Sequence, residues 1–168
     1  MKTLVTEAAI AARVAELGRE ISAFYGDAPV TMVVLANGAL LFGADLARRI
    51  TSPLELDVLC VNSYLADRNP GKLTVRPSLK LAPAGRRMLV VDEVLDSGAT
   101  LAEVRRTLLA AGAAEVRTAV LVEKRRPRPA GAEHADWCGF ELPDSYLVGY
   151  GLDSHERFRN LPYIAELE

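Results

Sequence analysis

Cysteine is scarce in this 168-residue sequence: Cys60 and Cys138 are the only two, and they form neither a CxxC motif nor the spacing of a metal site. We therefore expect two buried free thiols rather than a redox pair. Apolar runs approaching about twenty residues are also missing and nothing resembles a signal peptide, so the sequence predicts a cytoplasmic protein. A net charge of −2 gives no general reason to expect nucleic-acid or membrane binding.

The two familiar nucleotide-binding loops are missing as well. The sequence has no G-x-x-x-x-G-K-[ST] motif, and no G-x-G-x-x-G motif follows a predicted strand. The segment GALLFGAD, from Gly38 to Asp45, has the glycine spacing of the first motif but lacks its lysine. These absences argue against ordinary P-loop and dinucleotide-binding proteins.

Half of the residues are hydrophobic and a quarter are charged, which is typical of a single folded domain with a substantial core. In the first predicted helix, apolar residues recur at helical spacing at Ile10, Val14, Leu17, Ile21 and Phe24. The predicted helices are Thr6 (as N-cap) to about Tyr25, Ala39 to Ile50 and Thr100 to Ala111. The predicted strands are Val30 to Ala36, Leu54 to Val61, Met88 to Val91 and Glu115 to Val122, with short ones at Lys72 to Val75 and after Gly131. This alternation predicts an α/β fold whose parallel sheet is covered on both faces.

Three groups of polar residues follow the ends of predicted strands. Asn37-Gly38 follows the strand that begins at Val30, Asp92-Glu93 with Asp96 follows the Met88 strand, and Lys124 follows the Glu115 strand. Ligands of parallel α/β sheets bind beyond the carboxyl ends of the strands. We therefore expect the three groups to converge on one site.

The segment from Asp96 to Thr100 combines an anion-binding loop with nearby carboxylates. A small-residue loop that opens a helix presents unpaired N–H groups, which suit a phosphate. The hydroxyls of Ser97 and Thr100 add to that cradle. Asp92 and Glu93, which would repel a lone anion, suit the hydroxyls of a sugar or a Mg²⁺ ion. A phosphorylated ribose with a metal-bound leaving group meets both requirements.

Two segments resemble known signatures. VVDEVLDSGATL, from Val90 to Leu101, resembles the phosphoribosyl-pyrophosphate-binding motif of type I phosphoribosyltransferases. PDSYLVGYGLDSHERFRNLPYI, from Pro143 to Ile164, resembles the C-terminal signature of the hypoxanthine-guanine phosphoribosyltransferases. The segments LFGADLARRI, NSY and LVEKRRPR match in the family's order, so the similarity covers about Val33 to the C-terminus.

The resemblance implies a type I phosphoribosyltransferase fold, with a central, mostly parallel sheet flanked by helices and a small C-terminal hood. It implies one domain over residues 1–168, with an N-terminal helix at 6–25, a core at about 30–130 and a base-binding hood at about 131–168. The family forms dimers and tetramers, so we expect a homodimer or homotetramer by analogy.

The same resemblance implies transfer of ribose 5-phosphate from phosphoribosyl pyrophosphate to a 6-oxopurine, hypoxanthine or guanine, with Mg²⁺ as cofactor. The transition state resembles an oxocarbenium ion, so catalysis depends on charge placement rather than on a nucleophile. Asp96 is implied to be the catalytic general base at purine N7. Asp92 and Glu93 are implied to bind the ribose hydroxyls with metal, in the reverse of the family's usual Glu-Asp order, and Asp153 is implied at a second metal site.

The remaining roles concern substrate binding. Lys124 is implied to contact the 6-oxo group, and because an ammonium only donates, it would meet the 6-amino group of adenine donor to donor. An ordinary helix ion pair for Asp153 and Arg159, and a solvated strand end for Lys124, stay open as alternatives. The other implied substrate-binding residues are Ser97, Gly98, Ala99 and Thr100 at the phosphate, Tyr146 and Leu147 at the base, Arg159 and Asn37-Gly38 at pyrophosphate, and Ser63 and Tyr64 in a closing loop.

Two segments depart from the family pattern. Asn37 stands where the family has a Lys or Arg before the glycine of its pyrophosphate loop, and a non-proline cis peptide is expected between Ala36 and Asn37. The segment NSYLADRNPGKL lacks the usual Ser-Ser-Tyr-Gly opening of the closing loop. Two other functions therefore stay open: transfer to xanthine or a modified purine, and a regulator that binds phosphoribosyl pyrophosphate or nucleotide without turnover.

Overall fold

The computed structural model describes residues 1–60, 79–128 and 134–167. The elements in chain order are β1 Lys2–Val5, α1 Glu7–Tyr25, β2 Val30–Ala36, α2 Leu40–Ala47, β3 Leu54–Cys60, β4 Arg87–Leu95, α3 Ala99–Ala110, β5 Glu115–Arg125, β6 Trp137–Pro143, β7 Leu147–Val148 and β8 Ile164–Glu166. Over these residues a five-stranded sheet, with all neighbouring strands parallel, has the order β3-β2-β4-β5-β6, and a three-stranded antiparallel sheet has the order β1-β8-β7.

The five-stranded sheet lies between two apolar layers, which confirms the predicted α/β class. On one face, alternate strand residues such as Met32 and Val34 pack with α1, α2 and part of the smaller sheet. On the other face, residues such as Val33 and Val90 pack against the buried side of α3. Burial of both faces explains why β2 is an uninterrupted apolar run rather than an alternating one.

Helix α1 begins and ends where the sequence predicts. Its N-cap is Thr6, whose hydroxyl accepts a hydrogen bond from the backbone N–H of Ala9 at 3.3 Å. Four of the five predicted apolar positions are buried, but Phe24 is exposed. The Phe24 ring instead packs edge-on against Trp137, with ring centroids 5.3 Å apart. Arg13 completes the docking of α1 by donating to the carbonyl oxygens of Cys138 and Gly139 on β6.

The antiparallel sheet forms a hood that differs from the predicted segment of about 131–168. Strand β6 belongs to the central sheet, where it pairs with β5. The hood is completed from the other end of the chain, because β1 pairs with β8. A four-residue strand in a segment without a motif gives too short a pattern to be recognised from the sequence.

Two strands run past their predicted ends. Strand β4 continues to Leu95, so Asp92 and Glu93 lie on the strand rather than after it. Strand β5 continues to Arg125 and therefore includes Lys124. Pairing between the two strands continues as far as Leu95 and Glu123, and pairing of β5 with β6 continues to Arg125 and Pro143; these ladders are the physical reason for the extensions. Helix α2 is shorter than predicted and ends at Ala47 rather than Ile50, and the predicted strand at Lys72 to Val75 lies outside the described residues.

The expectation of two buried thiols is wrong for Cys60. Both cysteines are free, but Cys60 is exposed at the end of β3, which is an edge strand of the sheet. Cys138 is half-buried, and this burial raises the pKa of its thiol to about 11, which keeps it protonated and unreactive near neutral pH. Across the described parts of the chain, we find no helix with the length and apolar content needed to span a bilayer.

The contact between α1 and the segment after α2 makes Gly18 a specific test of the fold. A Cβ at Gly18 would collide with the Cβ of Arg49 and lie 2.8 Å from its backbone oxygen. Alanine favours a helix over glycine by about 1 kcal/mol, but overpacking costs about 1–3 kcal/mol. We therefore expect Gly18→Ala to lower the free energy of unfolding by about 1–2 kcal/mol in urea denaturation.

The neighbouring exposed variant Arg19→Ala controls for changes in helix propensity and should leave the urea midpoint nearly unchanged. A Gly18→Ala protein as stable as the parent would contradict the described packing of α1 against Arg49.

Candidate active site

A cleft of about 810 Å³ lies at the carboxyl ends of β2 and β4. It brings together most of the residues that the sequence assigns to one site. Because β2 and β4 are parallel neighbours, the polar residues that end them lie side by side. The predicted residues that line the cleft are Asn37, Gly38, Asp92, Glu93, Asp96, Ser97, Gly98, Thr100, Asp153 and Arg159.

The loop between β4 and α3 has the form of an anion-binding turn. Gly98 has φ 83°, in the left-handed region that favours glycine, and α3 begins directly after it at Ala99. The Ser97 hydroxyl accepts a hydrogen bond from the Ala99 N–H at 3.3 Å. The first N–H groups of a helix have no acceptor within the helix, so this turn can present several of them, with the helix dipole, to a phosphate.

Asp92 and Glu93 are adjacent carboxylates that repel each other. Asp92 is buried, and its carboxylate accepts a hydrogen bond from the Glu93 N–H at 2.9 Å. Burial first, and then the neighbouring Glu93 carboxylate, hold the pKa of Asp92 well above its usual range. No group of three or more acidic, histidine or cysteine ligands occurs among the residues that the structure describes. Any cation here would therefore take part of its coordination from a bound substrate or water.

The loop after β2 is held between Glu93 and the hood. The Ala36–Asn37 peptide bond is cis, as the resemblance predicts. A Cβ at Gly38 would collide with the Glu93 carboxylate, and a Cβ at Gly151 would collide with the Gly38 carbonyl oxygen. Gly151 also has φ 100°, which L side chains rarely adopt. Both glycines are therefore required for the close approach of three segments at the cleft.

Asp153 and Arg159 are paired with each other at the edge of the cleft. Arg159 Nη2 lies 2.9 Å from Asp153 Oδ1, and Arg159 Nη1 donates to the Gly151 carbonyl oxygen at 2.6 Å. Glu156 also contacts the guanidinium, at 3.1 Å. The pair lies in a run of turns rather than in the helix that the ordinary ion-pair alternative assumed. Arg159 thus carries a fixed positive charge into a cleft that is otherwise rich in carboxylates.

Asp96 and Lys124, two of the residues assigned to the base, are connected through ion pairs. The Asp96 carboxylate forms an ion pair with Arg126. Arg126 Nε lies 3.7 Å from Asp144 Oδ2, and Lys124 Nζ lies 3.7 Å from Asp144 Oδ1. Asp144 therefore links Lys124 to the partner of Asp96 through a chain of charges.

Among the residues that the structure describes, four predicted site residues do not line the cleft: Lys124, Ala99, Tyr146 and Leu147. Tyr146 is 53% exposed, which leaves its ring accessible, whereas Leu147 is buried in β7. The predicted residues Ser63 and Tyr64 lie outside the described residues.

Sequence reasoning missed the acidic and basic partners of the site. Arg126 and Asp144 were not assigned roles, although both lie inside segments that resemble the family. The run KRRPR, from Lys124 to Arg128, places four cationic residues within five positions. Its position directly at the end of β5, facing the carboxylate that ends β4, is the signal that points to specific pairing.

Comparison with known proteins supports the sequence resemblance. The family model of the phosphoribosyl transferase domain matches residues 1–155. The hypoxanthine-guanine phosphoribosyltransferase of Bacillus subtilis is 37% identical, over 99% of this chain and 93% of the relative. The hypoxanthine-guanine-xanthine phosphoribosyltransferase of Tritrichomonas foetus is 32% identical, over 99% of this chain and 91% of the relative.

A solved structure agrees with the fold over the full chain. The crystal structure of a hypoxanthine-guanine phosphoribosyltransferase from Bacillus anthracis, with a HEPES molecule in its active site, superposes with a TM-score of 0.92. It is 28% identical, and the match covers 100% of this chain and 99% of that chain.

The two glycines of the cleft predict different results when each is replaced by alanine. Gly38→Ala displaces only the end of a side chain, that of Glu93, so we expect weaker binding of pyrophosphate with Mg²⁺ but a nearly unchanged melting temperature. In Gly151→Ala the added Cβ collides with the backbone of Gly38, and alanine is forced to adopt a positive φ. This variant should therefore lower both the affinity for pyrophosphate with Mg²⁺ and the melting temperature. Calorimetric titration and thermal unfolding measure the two effects.

Gly85→Ala controls for the cost of a positive φ, because a Cβ there meets nothing within 4 Å. Equal losses of stability in Gly38→Ala and Gly151→Ala would contradict the described arrangement.

Proposed function

The chain belongs to the hypoxanthine-guanine phosphoribosyltransferase family, and from that premise we propose that it transfers the 5-phosphoribosyl group of phosphoribosyl pyrophosphate to a 6-oxopurine, hypoxanthine or guanine. Pyrophosphate is the other product. The observation that carries the proposal is the juxtaposition, in one cleft, of the loop from Ser97 to Thr100 with the carboxylate pair of Asp92 and Glu93. A phosphate and a ribose diol are the groups that these two features recognise.

In this proposal the cleft orients the ribose for attack at C1. The loop from Ser97 to Thr100 binds the 5-phosphate, and Asp92 and Glu93 accept hydrogen bonds from the ribose hydroxyls. Positive charge develops on the ribose ring in the transition state, and the nearby carboxylates stabilise it electrostatically. Fixing both substrates in line converts a bimolecular reaction into an effectively unimolecular one.

The donor set fits Mg²⁺ as the cofactor. Mg²⁺ prefers oxygen ligands and is bound in many enzymes by one or two carboxylates together with substrate phosphates. The position of both Asp92 and Glu93 in the cleft supports this assignment, because a divalent cation would relieve the repulsion between the two carboxylates. When bound, Mg²⁺ would neutralise charge on the departing pyrophosphate. Asp153 is the proposed carboxylate near a second ion, with Arg159 beside it at pyrophosphate.

Asp96 and Lys124 act on the purine in this proposal. Asp96 accepts the proton of purine N7, exchanging its contact with Arg126 for one with the base. Lys124 donates to the 6-oxo group, and Tyr146 stacks on the ring. A site that places a charged donor at the 6-position discriminates strongly against adenine, because the amino group leaves that charge unpaired.

Xanthine is a second candidate substrate. The Tritrichomonas foetus relative, at 32% identity, is named for hypoxanthine, guanine and xanthine. A regulator without turnover is less well supported, since a binding protein has little use for a carboxylate at N7. The cytoplasmic location and the homodimeric or homotetrameric state remain predictions.

The proposed activity is tested by mixing the purified protein with Mg²⁺, phosphoribosyl pyrophosphate and one base at a time: hypoxanthine, guanine, xanthine, adenine or uracil. We expect nucleotide formation with 6-oxopurines alone, measured by liquid chromatography. Binding of phosphoribosyl pyrophosphate without turnover on any of the bases would contradict the proposal and favour the regulator.

The role of Asp96 predicts a specific kinetic defect. Asp96→Asn keeps the shape of the side chain but cannot take the N7 proton, so kcat should fall about 100-fold or more while substrate affinity changes little. Steady-state kinetics and calorimetric binding separate the two quantities. Asp27→Asn, at an exposed turn after α1, is the matched control. Equal losses in kcat and affinity would remove Asp96 as the base.

Lys124 is expected to determine base preference. Lys124→Gln replaces a pure donor with an amide that can also accept, so the preference for hypoxanthine over adenine in kcat/KM should fall about tenfold or more. Arg125→Gln, at the next and more exposed position of β5, should leave the preference intact. An unchanged preference in Lys124→Gln would exclude this residue from base recognition.

A further inference from the structure

Arg128 is a buried arginine that the proposed mechanism does not use. Its side chain is 8% exposed, whereas that of Arg125, three residues earlier, is 66% exposed. The guanidinium donates to the Glu123 carboxylate at 2.7 Å, to the Asp96 carbonyl oxygen at 3.0 Å and to the Lys124 carbonyl oxygen at 3.1 Å. A longer contact, at 3.5 Å, reaches the Leu95 carbonyl oxygen.

These acceptors belong to the ends of two neighbouring strands. Asp96 follows β4 directly, and Lys124 lies near the end of β5. The register of the two strands ends at Leu95 and Glu123. Beyond that pair, hydrogen bonds from Arg128 take the place of the backbone ladder and connect the two segments.

The two connected residues are the ones assigned to the purine. Asp96 is proposed at N7 and Lys124 at the 6-oxo group, and these two atoms are close together on the same edge of the ring. A small change in the separation of the two side chains would therefore spoil both contacts at once. The distance between the strand ends is a geometric requirement of base recognition.

We propose that Arg128 is a positioning residue that fixes Asp96 and Lys124 at the separation required by N7 and the 6-oxo group of the purine. This inference rests on the proposed function and deepens it. Arg128 acts through backbone carbonyl groups and does not touch the substrate. None of its acceptors lies in the Ser97 to Thr100 segment, so its effect should be concentrated on the base rather than on phosphoribosyl pyrophosphate.

Arginine is specifically suited to this position. Its planar guanidinium offers five donors in a fixed arrangement, so it can hold two backbone segments and a carboxylate together. Glu123 neutralises its charge: burial alone would raise the pKa of Glu123, but hydrogen bonds from Arg128 and His134 bring it below its ordinary value. A lysine would supply the charge without the rigid fork.

The test compares four variants with the parent protein. Arg128→Met removes every donor, and Arg128→Lys keeps the charge alone. Because Arg128→Met leaves the half-buried Glu123 with the exposed His134 in place of its arginine and could fail to fold, Arg128→Met/Glu123→Leu removes both members of the ion pair. Arg125→Met is the matched control, since it removes an exposed arginine from the same strand end.

Three readouts are required for each protein: kcat and KM for hypoxanthine, the preference for hypoxanthine over adenine, and the affinity for phosphoribosyl pyrophosphate by calorimetry. We expect both Met variants at position 128 to lose about 100-fold in kcat/KM for hypoxanthine, and some of their preference, while affinity for phosphoribosyl pyrophosphate changes by less than about threefold. The kcat/KM of Arg128→Lys for hypoxanthine should lie between the values of the two Met variants and that of the parent protein.

Either of two results would refute the positioning role of Arg128 without refuting the proposed phosphoribosyl transfer. The first is parent-like kinetics in the folded double variant. The second is an equal loss for hypoxanthine and phosphoribosyl pyrophosphate together with a lowered melting temperature, which is the signature of a merely structural role. A parent protein that is inactive on every 6-oxopurine would instead refute the proposed function, and this inference with it.

Discussion

Two adjacent carboxylates at the end of β4 impose the main constraint on this site. Asp92 is buried beside Glu93, and burial, followed by the neighbouring Glu93 carboxylate, raises the pKa of Asp92. Such a pair is costly unless a cation or a set of donors compensates for it. The neighbouring features supply that compensation: a helix N-terminus follows the pair at Ala99, and Arg159 approaches from the hood. Charge balance, more than shape, explains why these segments meet at one cleft.

The topology of the sheet brings these oppositely charged groups together. Because β2, β4 and β5 are parallel neighbours, their carboxyl ends deliver a backbone loop, a carboxylate cluster and a lysine to the same edge of the sheet. The hood then closes the site from the side, with Gly151 against the carbonyl oxygen of Gly38. The cleft is thus built mostly from the ends of the core strands, whereas Asp153 and Arg159 reach it from the segment between β7 and β8.

The base side is arranged differently from the phosphate side. At the proposed phosphate site, the available donors are backbone N–H groups of a turn and a helix, and their direction follows from the chain path. At the base, the side chains of Asp96 and Lys124 depend on partners such as Arg126, Asp144 and Arg128. We therefore expect substitutions at these partners to alter the proposed base preference of this protein while the phosphate loop stays the same.

Local patterns explain most of what the sequence predicted. The buried run of β2, the cap of α1 and the loop from Asp96 to Thr100 each depend on a few consecutive residues, and all three have the predicted form. The missed features depend on distant pairing. Strand β1 is stabilised by β8, at the other end of the chain, and Arg128 reaches a carbonyl group 32 positions away. Nothing in the immediate neighbourhood of these residues specifies such partners.

Asn37 stands where the resemblance implies a Lys or Arg, and the sequence alone did not predict the effect of this difference on pyrophosphate binding. It follows a cis peptide bond, in a loop held by Glu93 and by the hood through Gly38. The position is therefore fixed by backbone contacts that do not require the positive charge found in the family. This supports the proposal that backbone groups of this loop, rather than a basic side chain at position 37, face a pyrophosphate bound together with Arg159.

The most direct measurement is a crystal structure of the protein with a purine nucleotide product, such as inosine or guanosine 5-monophosphate. The account predicts the phosphate within hydrogen-bond distance of the Ser97 to Thr100 loop, N7 facing Asp96 and the 6-oxo group facing Lys124. A nucleotide whose phosphate occupies that loop but whose base lies away from Asp96 and Lys124 would contradict the assignment of a 6-oxopurine substrate.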